Sequence, residues 1–234
     1  MPEKPVLFDT ESVRGLLTCA RCGTMSVPFP CEKCGSTEFT KTQTRRVARR
    51  WKMHEDFGKP VWDEAWIDPG YTRYGSCCLK APYRGGVDET VQRHWPNYVK
   101  DDIGWVREPL RNLYRLVAYA SDGSVVLYPD TGEPMGWTWK RGYLPSMFMP
   151  KVARRAWVQF ETPIAQRLQE ISNGDCYAEG YRENPDDLLP QLPGPRYWFL
   201  SRWNGIHGDD AWARNDWVWR YEFRRIAPPA EEKP

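Results

Sequence analysis

Apolar and polar positions alternate most regularly over residues 217–226, where Trp217, Trp219, Tyr221 and Phe223 interleave with Val218, Arg220, Glu222 and Arg224. A period of two predicts a strand with one buried face. Shorter runs predict strands at 5–8, 40–47, 156–161 and 164–168, and one starting at Trp105-Val106-Arg107-Glu108. Residues 113–120 and 125–128 read as a hairpin around Ser121-Asp122-Gly123-Ser124, because Asp-Gly supplies the positive φ of a tight turn. Helical signals are few and short. Thr10 is a candidate N-cap for a helix over 11–17, and Ser172 with Asp175 forms a capping box for one over 171–180 that stops at Gly180. A third helix over 196–205 takes its apolar side from Tyr197, Trp198, Leu200 and Trp203. Residues 51–102 show no period and are rich in Gly, Pro and Trp, so a long irregular insertion is expected there; 227–234 read as a disordered tail. The pattern predicts one α+β domain over 1–226, a small mixed β-barrel flanked by short helices.

The cysteines change that picture most. Cys19-x2-Cys22 and Cys31-x2-Cys34 form two knuckles eight residues apart, each followed by a glycine, Gly23 or Gly35. Four thiolates close a tetrahedral site, and the glycines suit turns that need positive φ. A zinc-ribbon insertion over 18–38 holding one structural zinc is the expectation, with rubredoxin-like iron the competing metal. Cys77, Cys78 and Cys176 read as core or incidental thiols, and His54, His94 and His207 are too scattered to make a catalytic set.

Charge adds less, since 33 Lys+Arg oppose 31 Asp+Glu. Any affinity for nucleic acid must come from local clusters, of which Arg45/Arg46, Arg49/Arg50/Lys52, Arg154/Arg155 and Arg224/Arg225 are visible. A lone Arg pair reads first as a solvated face. The 13 Trp, 12 Tyr and 8 Phe imply either a thick mixed core or a stacking surface. No apolar run reaches membrane-span length and the start lacks a signal-peptide pattern, so a cytoplasmic, soluble protein is expected. In that reducing setting the cysteines read as metal ligands or free thiols rather than disulfides.

Residues 41–46, Lys-Thr-Gln-Thr-Arg-Arg, concentrate groups that handle phosphates and polar bases. In order along the chain follow Trp105-Val106-Arg107-Glu108, Met149-Pro150-Lys151-Val152-Ala153-Arg154, Ile171-Ser172-Asn173-Gly174-Asp175-Cys176-Tyr177-Ala178-Glu179-Gly180, and the 217–226 strand. With these motifs in this order, the chain resembles the ASCH domain family, in particular its phage- and prophage-encoded branch. The resemblance covers about 5–18, 40–50, 103–119 and 145–226. It departs where the cysteine knuckles replace a short turn before Lys41, and across the Trp-rich insertion.

The resemblance implies a PUA-like barrel that binds RNA or a modified nucleobase or nucleotide in a cleft formed by residues 41–46. Arg45, Arg46, Arg107, Lys151 and Arg154 are then the candidate phosphate or base contacts, with Trp105 or Trp217 as stacking surface or, alternatively, barrel core. In family members that remove the acetyl group from N4-acetylcytidine, the matching positions are Lys41, Thr44 and Glu179, which implies an amidohydrolase as the alternative activity. Thr44 would attack or orient water, Lys41 would stabilise the oxyanion or act as base, and Glu179 would shuttle protons. The plainer reading has Lys41 and Arg46 on phosphate and Glu179 paired with an arginine that holds its helix. Ribonuclease activity, or docking on a host protein through the cysteine module and the insertion, are further alternatives.

Overall fold

A computed structural model describes residues 4–8, 10–27, 29–48, 65–73, 76–82, 91–183 and 194–229. The protein is mixed α+β, mostly strands with few helices. It packs as two compact units interleaved along the sequence: Met1–Thr42, Asp102–Gln159 and Arg224–Pro234 form the first, Gln43–Asp101 and Phe160–Phe223 the second. The Arg49/Arg50/Lys52 cluster and residues 230–234 of the expected tail lie outside the described residues.

In the first unit β1 (Lys4–Leu7) pairs in parallel with β6 (Ile103–Arg107), and β6 pairs antiparallel with β10 (Trp157–Phe160), placing Trp157 opposite Trp105. Helix α1 (Thr10–Leu17) follows β1 and buries Val13, Leu16 and Leu17 completely. A small antiparallel sheet orders β7 (Leu110–Leu113) between β8 (Leu116–Tyr119) and β9 (Tyr143–Leu144). The turn at 121–124 forms where Asp-Gly predicts it: Gly123 has φ 79° and its N–H meets the Tyr119 carbonyl at 2.9 Å. The strand expected over 113–120 is instead cut by a second tight turn. Tyr114 and Arg115 both take positive φ, 51° and 70°, and the Asn112 side chain accepts the Arg115 N–H at 2.9 Å. Neither turn residue is a Gly, Asn or Asp, so the usual hairpin signal is missing.

The second unit is built on β12 (Trp217–Ile226), of which all but the last three residues belong here. Its Val218 faces Gln166 of β11 (Ile164–Arg167) on one edge and Val47 of β2 (Gln43–Val47) on the other, so β12 is central. One face packs under α2 (Asn173–Ala178) and α3 (Pro195–His207), with Leu168, Ile171, Cys176, Phe199, Trp203 and Val218 in one cluster. The other carries Trp219 and Tyr221; Tyr221 meets Tyr98 and Phe160, and Trp219 donates to buried His94 at 2.8 Å. Burial brings the His94 pKa down to about 4, so its ring is the neutral acceptor that this bond requires.

The expectation of an irregular 51–102 is corrected over its described part. β3 (Trp66–Arg73), β4 (Ser76–Pro82) and β5 (Val91–His94) form an antiparallel sheet in that order. Consecutive Cys78 and Leu79 are both wholly buried in the central strand, which erases the period-two signal, and the β3–β4 register shifts between Asp68 and Arg73.

Candidate metal centre and nucleic-acid interface

The four cysteines converge in the first unit. Their sulfurs all lie within 4.8 Å of one another, with Cys19–Cys34 at 3.6 Å and Cys22–Cys31 at 3.7 Å. Metal–sulfur bonds of about 2.3 Å in a tetrahedron give edges of about 3.8 Å, so the spacing fits one ion. Each knuckle turns as expected: the Gly23 and Gly35 N–H groups return to the Cys19 and Cys31 carbonyls at 3.0 and 2.8 Å, with φ 68° and 69°. Hydrogen bonds from Thr24 bring the Cys22 thiol down to about 6, whereas at Cys34 the bond from Ser36 is outweighed by burial and the neighbouring thiols, which push it up to about 11. The module is pinned at its base by Ala20 N–H to the Glu38 carbonyl and Thr40 N–H to that of Thr18, both backbone bonds.

Lys41 follows directly, ahead of β2, and is buried; its N–H donates to the Gly15 carbonyl at 3.1 Å. A Cβ on Gly15 would sit 3.2 Å from the Lys41 Cβ, a tight contact that Lys41 would have to relieve by a few tenths of an ångström. Lys41 belongs to the first unit, whereas Thr44, Arg45, Arg46 and Glu179 belong to the second.

In the second unit Gln43, Thr44 and Arg45 are all buried. Arg45 Nη1 donates to Glu179 Oε1 at 3.0 Å, its Nη2 lies 3.3 Å from Asp175, and the Gln43 amide reaches Asp175 at 3.3 Å. Gln43 and Arg45 are two apart on β2 and share the face that meets α2. Thr44, between them, points to the opposite face, as does Arg46. The structure therefore brings Arg45 to Glu179, and strand alternation keeps Thr44 away from that carboxylate. Helix α2 starts with the expected capping box: Ser172 Oγ accepts the Asp175 N–H at 3.1 Å, and Asp175 accepts the Ser172 N–H at 2.9 Å. Burial pushes the Asp175 carboxyl up, but the bonds from Ser172 and the Arg45 charge outweigh it and hold it below its ordinary value. Cys176 on the same helix is buried, which raises its thiol to about 11 and leaves it inert. Trp217 is half-buried beneath the Arg167 guanidinium, 4.5 Å from its ring.

The remaining predicted contacts gather in the first unit. Trp105 and Trp157 face each other across β6 and β10, both buried, and each is capped by a guanidinium: Arg107 at 4.8 Å over Trp105, Arg154 at 5.8 Å over Trp157. Arg107 is aimed by the Met147 carbonyl, which accepts from Nη1 at 2.8 Å. Lys151 is exposed on the 3₁₀ turn Lys151–Ala153, and Met147 and Phe148 nearby are 55% and 61% exposed. Trp105 is thus core, and the half-buried Arg107 and Arg154 are the charged groups above the pair.

Three arginines that the sequence reads as solvated are internal. Each described Arg doublet splits, with Arg45, Arg155 and Arg225 turned in while Arg46 and Arg154 are half-buried and Arg224 exposed. Arg155 uses its whole fork: Nε and Nη2 take both Glu108 oxygens at 2.7 and 2.8 Å, and Nη2 also reaches Ser121 at 2.7 Å. Its Nη1 reaches Asp122 and Ser124 at 2.7 and 3.0 Å, with the Tyr119 ring 3.6 Å below. The signal was the Asp-Gly turn itself, whose Asp122 and neighbouring Ser121 and Ser124 supply three of the four acceptor residues. No family model, curated protein or solved structure matches the chain. Among the described residues no helix is long and apolar enough to cross a membrane.

Proposed function

We propose that this protein binds RNA, or a modified nucleoside or nucleotide, on a PUA-like domain of the ASCH kind, in the cytoplasm, with zinc as the structural ion of its four cysteines. The observation that supports this reading best is the pair of guanidiniums placed over facing Trp105 and Trp157, at 4.8 and 5.8 Å from the ring centres, near exposed Lys151 and Phe148. A guanidinium poised over a tryptophan ring can stack on an unstacked base and offers a charge to phosphate. Such stacking contributes about 1–3 kcal/mol per base with little sequence preference. The donor set supports a structural role: four soft thiolates suit zinc and leave no open position, so such an ion would organise the fold and take no part in chemistry.

Of residues 41–46, Arg45 is withdrawn from phosphate contact by its engagement with α2. Hydrolysis of an N4-acylated cytidine by Lys41, Thr44 and Glu179 ranks second. Glu179 is fixed and buried as an active carboxylate would be, but β2 alternation turns Thr44 from it.

The test is anisotropy of a labelled single-stranded RNA at several salt concentrations. Arg107→Ala and Arg154→Ala should each weaken binding about tenfold and reduce the salt slope by about one. Absence of binding at low salt, or variants that bind like the parent, would refute the reading. Release of acetate from N4-acetylcytidine, lost in Glu179→Gln, would favour the hydrolase instead.

A further inference from the structure

Arg225 is the least explained charge in the first unit. It sits near the end of β12 on the buried phase of the strand and is 5% exposed. Its Nη1 donates to the Ser26 carbonyl at 2.7 Å, its Nη2 to the Val27 carbonyl, and its plane lies 4.4 Å from the Phe39 ring. All three residues belong to the cysteine module. Ser26 and Val27 lie in the linker between the knuckles, and Phe39 forms a β-bridge with Cys19. The Ser26 hydroxyl also accepts the N–H of Glu32, the residue after Cys31, at 3.3 Å. The guanidinium therefore touches the backbone that carries both cysteine pairs.

What it lacks is a counter-anion. Arg45 has Asp175 and Glu179, and Arg155 has Glu108 and Asp122, whereas among the described residues no carboxylate pairs with Arg225. Its bonds run to neutral carbonyls. A buried charge in that state is costly unless an opposite charge stands nearby. Burial and Arg155 both push its pKa down, to about 10, and Cys31 is the group that acts in its favour. A divalent ion with four thiolates carries a net charge of about minus two, from four negative sulfurs and two positive charges on the metal. Arg21 and Lys33, one in each knuckle, are exposed and screened by solvent.

We infer that Arg225 is the internal counter-cation of the metal-loaded four-cysteine centre, a positioning residue that couples metal occupancy to the seating of the end of β12. The inference rests on the reading of the cysteines as a metal site. Loading the site supplies the anion that Arg225 lacks, and the arginine in turn stabilises the loaded cluster and the inter-knuckle loop. Emptying the site leaves a buried, unopposed guanidinium, so the metal-free protein should release this strand end first.

The experiment compares the full chain with Arg225→Met and Arg225→Lys under reducing conditions. Zinc affinity is read by competition with a chromophoric chelator, cobalt binding by its thiolate charge-transfer band, and melting temperature with and without zinc. Arg225→Met should weaken zinc by about 10–100-fold, the usual size of an outer-partner effect, with partial recovery in Arg225→Lys. The stability signature has two signs: Met should lower the melting temperature of the loaded protein and leave that of the metal-free protein unchanged or higher. Equal zinc affinity in parent and Met variant overturns the inference. So does a Met variant destabilised equally with and without metal, or unfolded in both, because packing alone then explains the residue. A parent chain that binds neither zinc nor cobalt overturns the metal reading, and the inference with it.

Discussion

Replacing Arg155 with methionine keeps most of the side-chain volume but removes the five hydrogen bonds that its guanidinium donates to Glu108, Ser121, Asp122 and Ser124. Glu108 is 1% exposed, and both of its oxygens are held by Arg155. Ser121, also buried, would retain its 2.5 Å bond to Glu108 but lose the arginine. Removing one partner of a buried ion pair costs about 3–5 kcal/mol, because the remaining charge stays desolvated. For a chain of this size each kcal/mol moves the melting temperature by about 2–4 °C, so a fall of about 6–20 °C is expected by thermal scanning. If the cost comes from the stranded carboxylate, adding Glu108→Gln to the variant should recover part of the loss, and Glu108→Gln alone should destabilise. Asp122 supplies an independent reading. Burial pushes its carboxyl up, but the hydrogen bond from Arg155 and those from Ser124 outweigh this and hold it below its ordinary value. A depressed carboxyl pKa stabilises the fold above the unfolded value near 4 and loses that contribution as pH falls through the folded value. Arg155→Met should therefore flatten the acid limb of the stability curve. A melting temperature within 2 °C of the parent (about the shift of 1 kcal/mol), with the acid limb unchanged, would refute the clamp.

Other consequences follow from buried groups elsewhere. His94 has a folded pKa of about 4 against about 6.5 unfolded, so between those values the unfolded chain takes up a proton that the native ring refuses. Stability should fall, by up to about 3 kcal/mol, as pH drops from 6.5 to 4, and His94→Gln, which can still accept from Trp219, should remove that slope in pH-dependent denaturation. Ser172→Ala removes the cap of α2 and should cost about 1 kcal/mol by urea denaturation. A change below about 0.3 kcal/mol would show that tertiary packing alone sets that helix.

Where one residue type has one physical use, its place was legible in the chain. The knuckle glycines, the Ser172–Asp175 box, the Asp-Gly turn and the alternating closing strand all stand where local chemistry puts them. The arginines were not legible, because the two members of a doublet point apart, on strands (Arg45/Arg46, Arg224/Arg225) and in the extended link before β10 (Arg154/Arg155), and nothing local says which side is covered. Which side is inside is decided by partners far along the chain: Asp175 and Glu179 for Arg45, Glu108 for Arg155, the inter-knuckle loop for Arg225. The sheet over β3–β5 escaped because burial on both faces of its central strand hides the alternation that marks a strand. For the candidate site, the residue types were legible and their grouping was not: Arg107 and Arg154 each lie over one of two tryptophans that only the pairing of β6 with β10 brings opposite each other.

The central claim, that nucleic acid lies across the two capped tryptophans, is tested most directly by photo-cross-linking a 4-thiouridine-labelled single-stranded RNA to the full chain and mapping the adducts by mass spectrometry. Adducts concentrated at Arg107 and within 147–157, and lost in the Arg107→Ala/Arg154→Ala double variant, are the predicted result. Adducts that fall elsewhere, or that persist in the double variant, would contradict it.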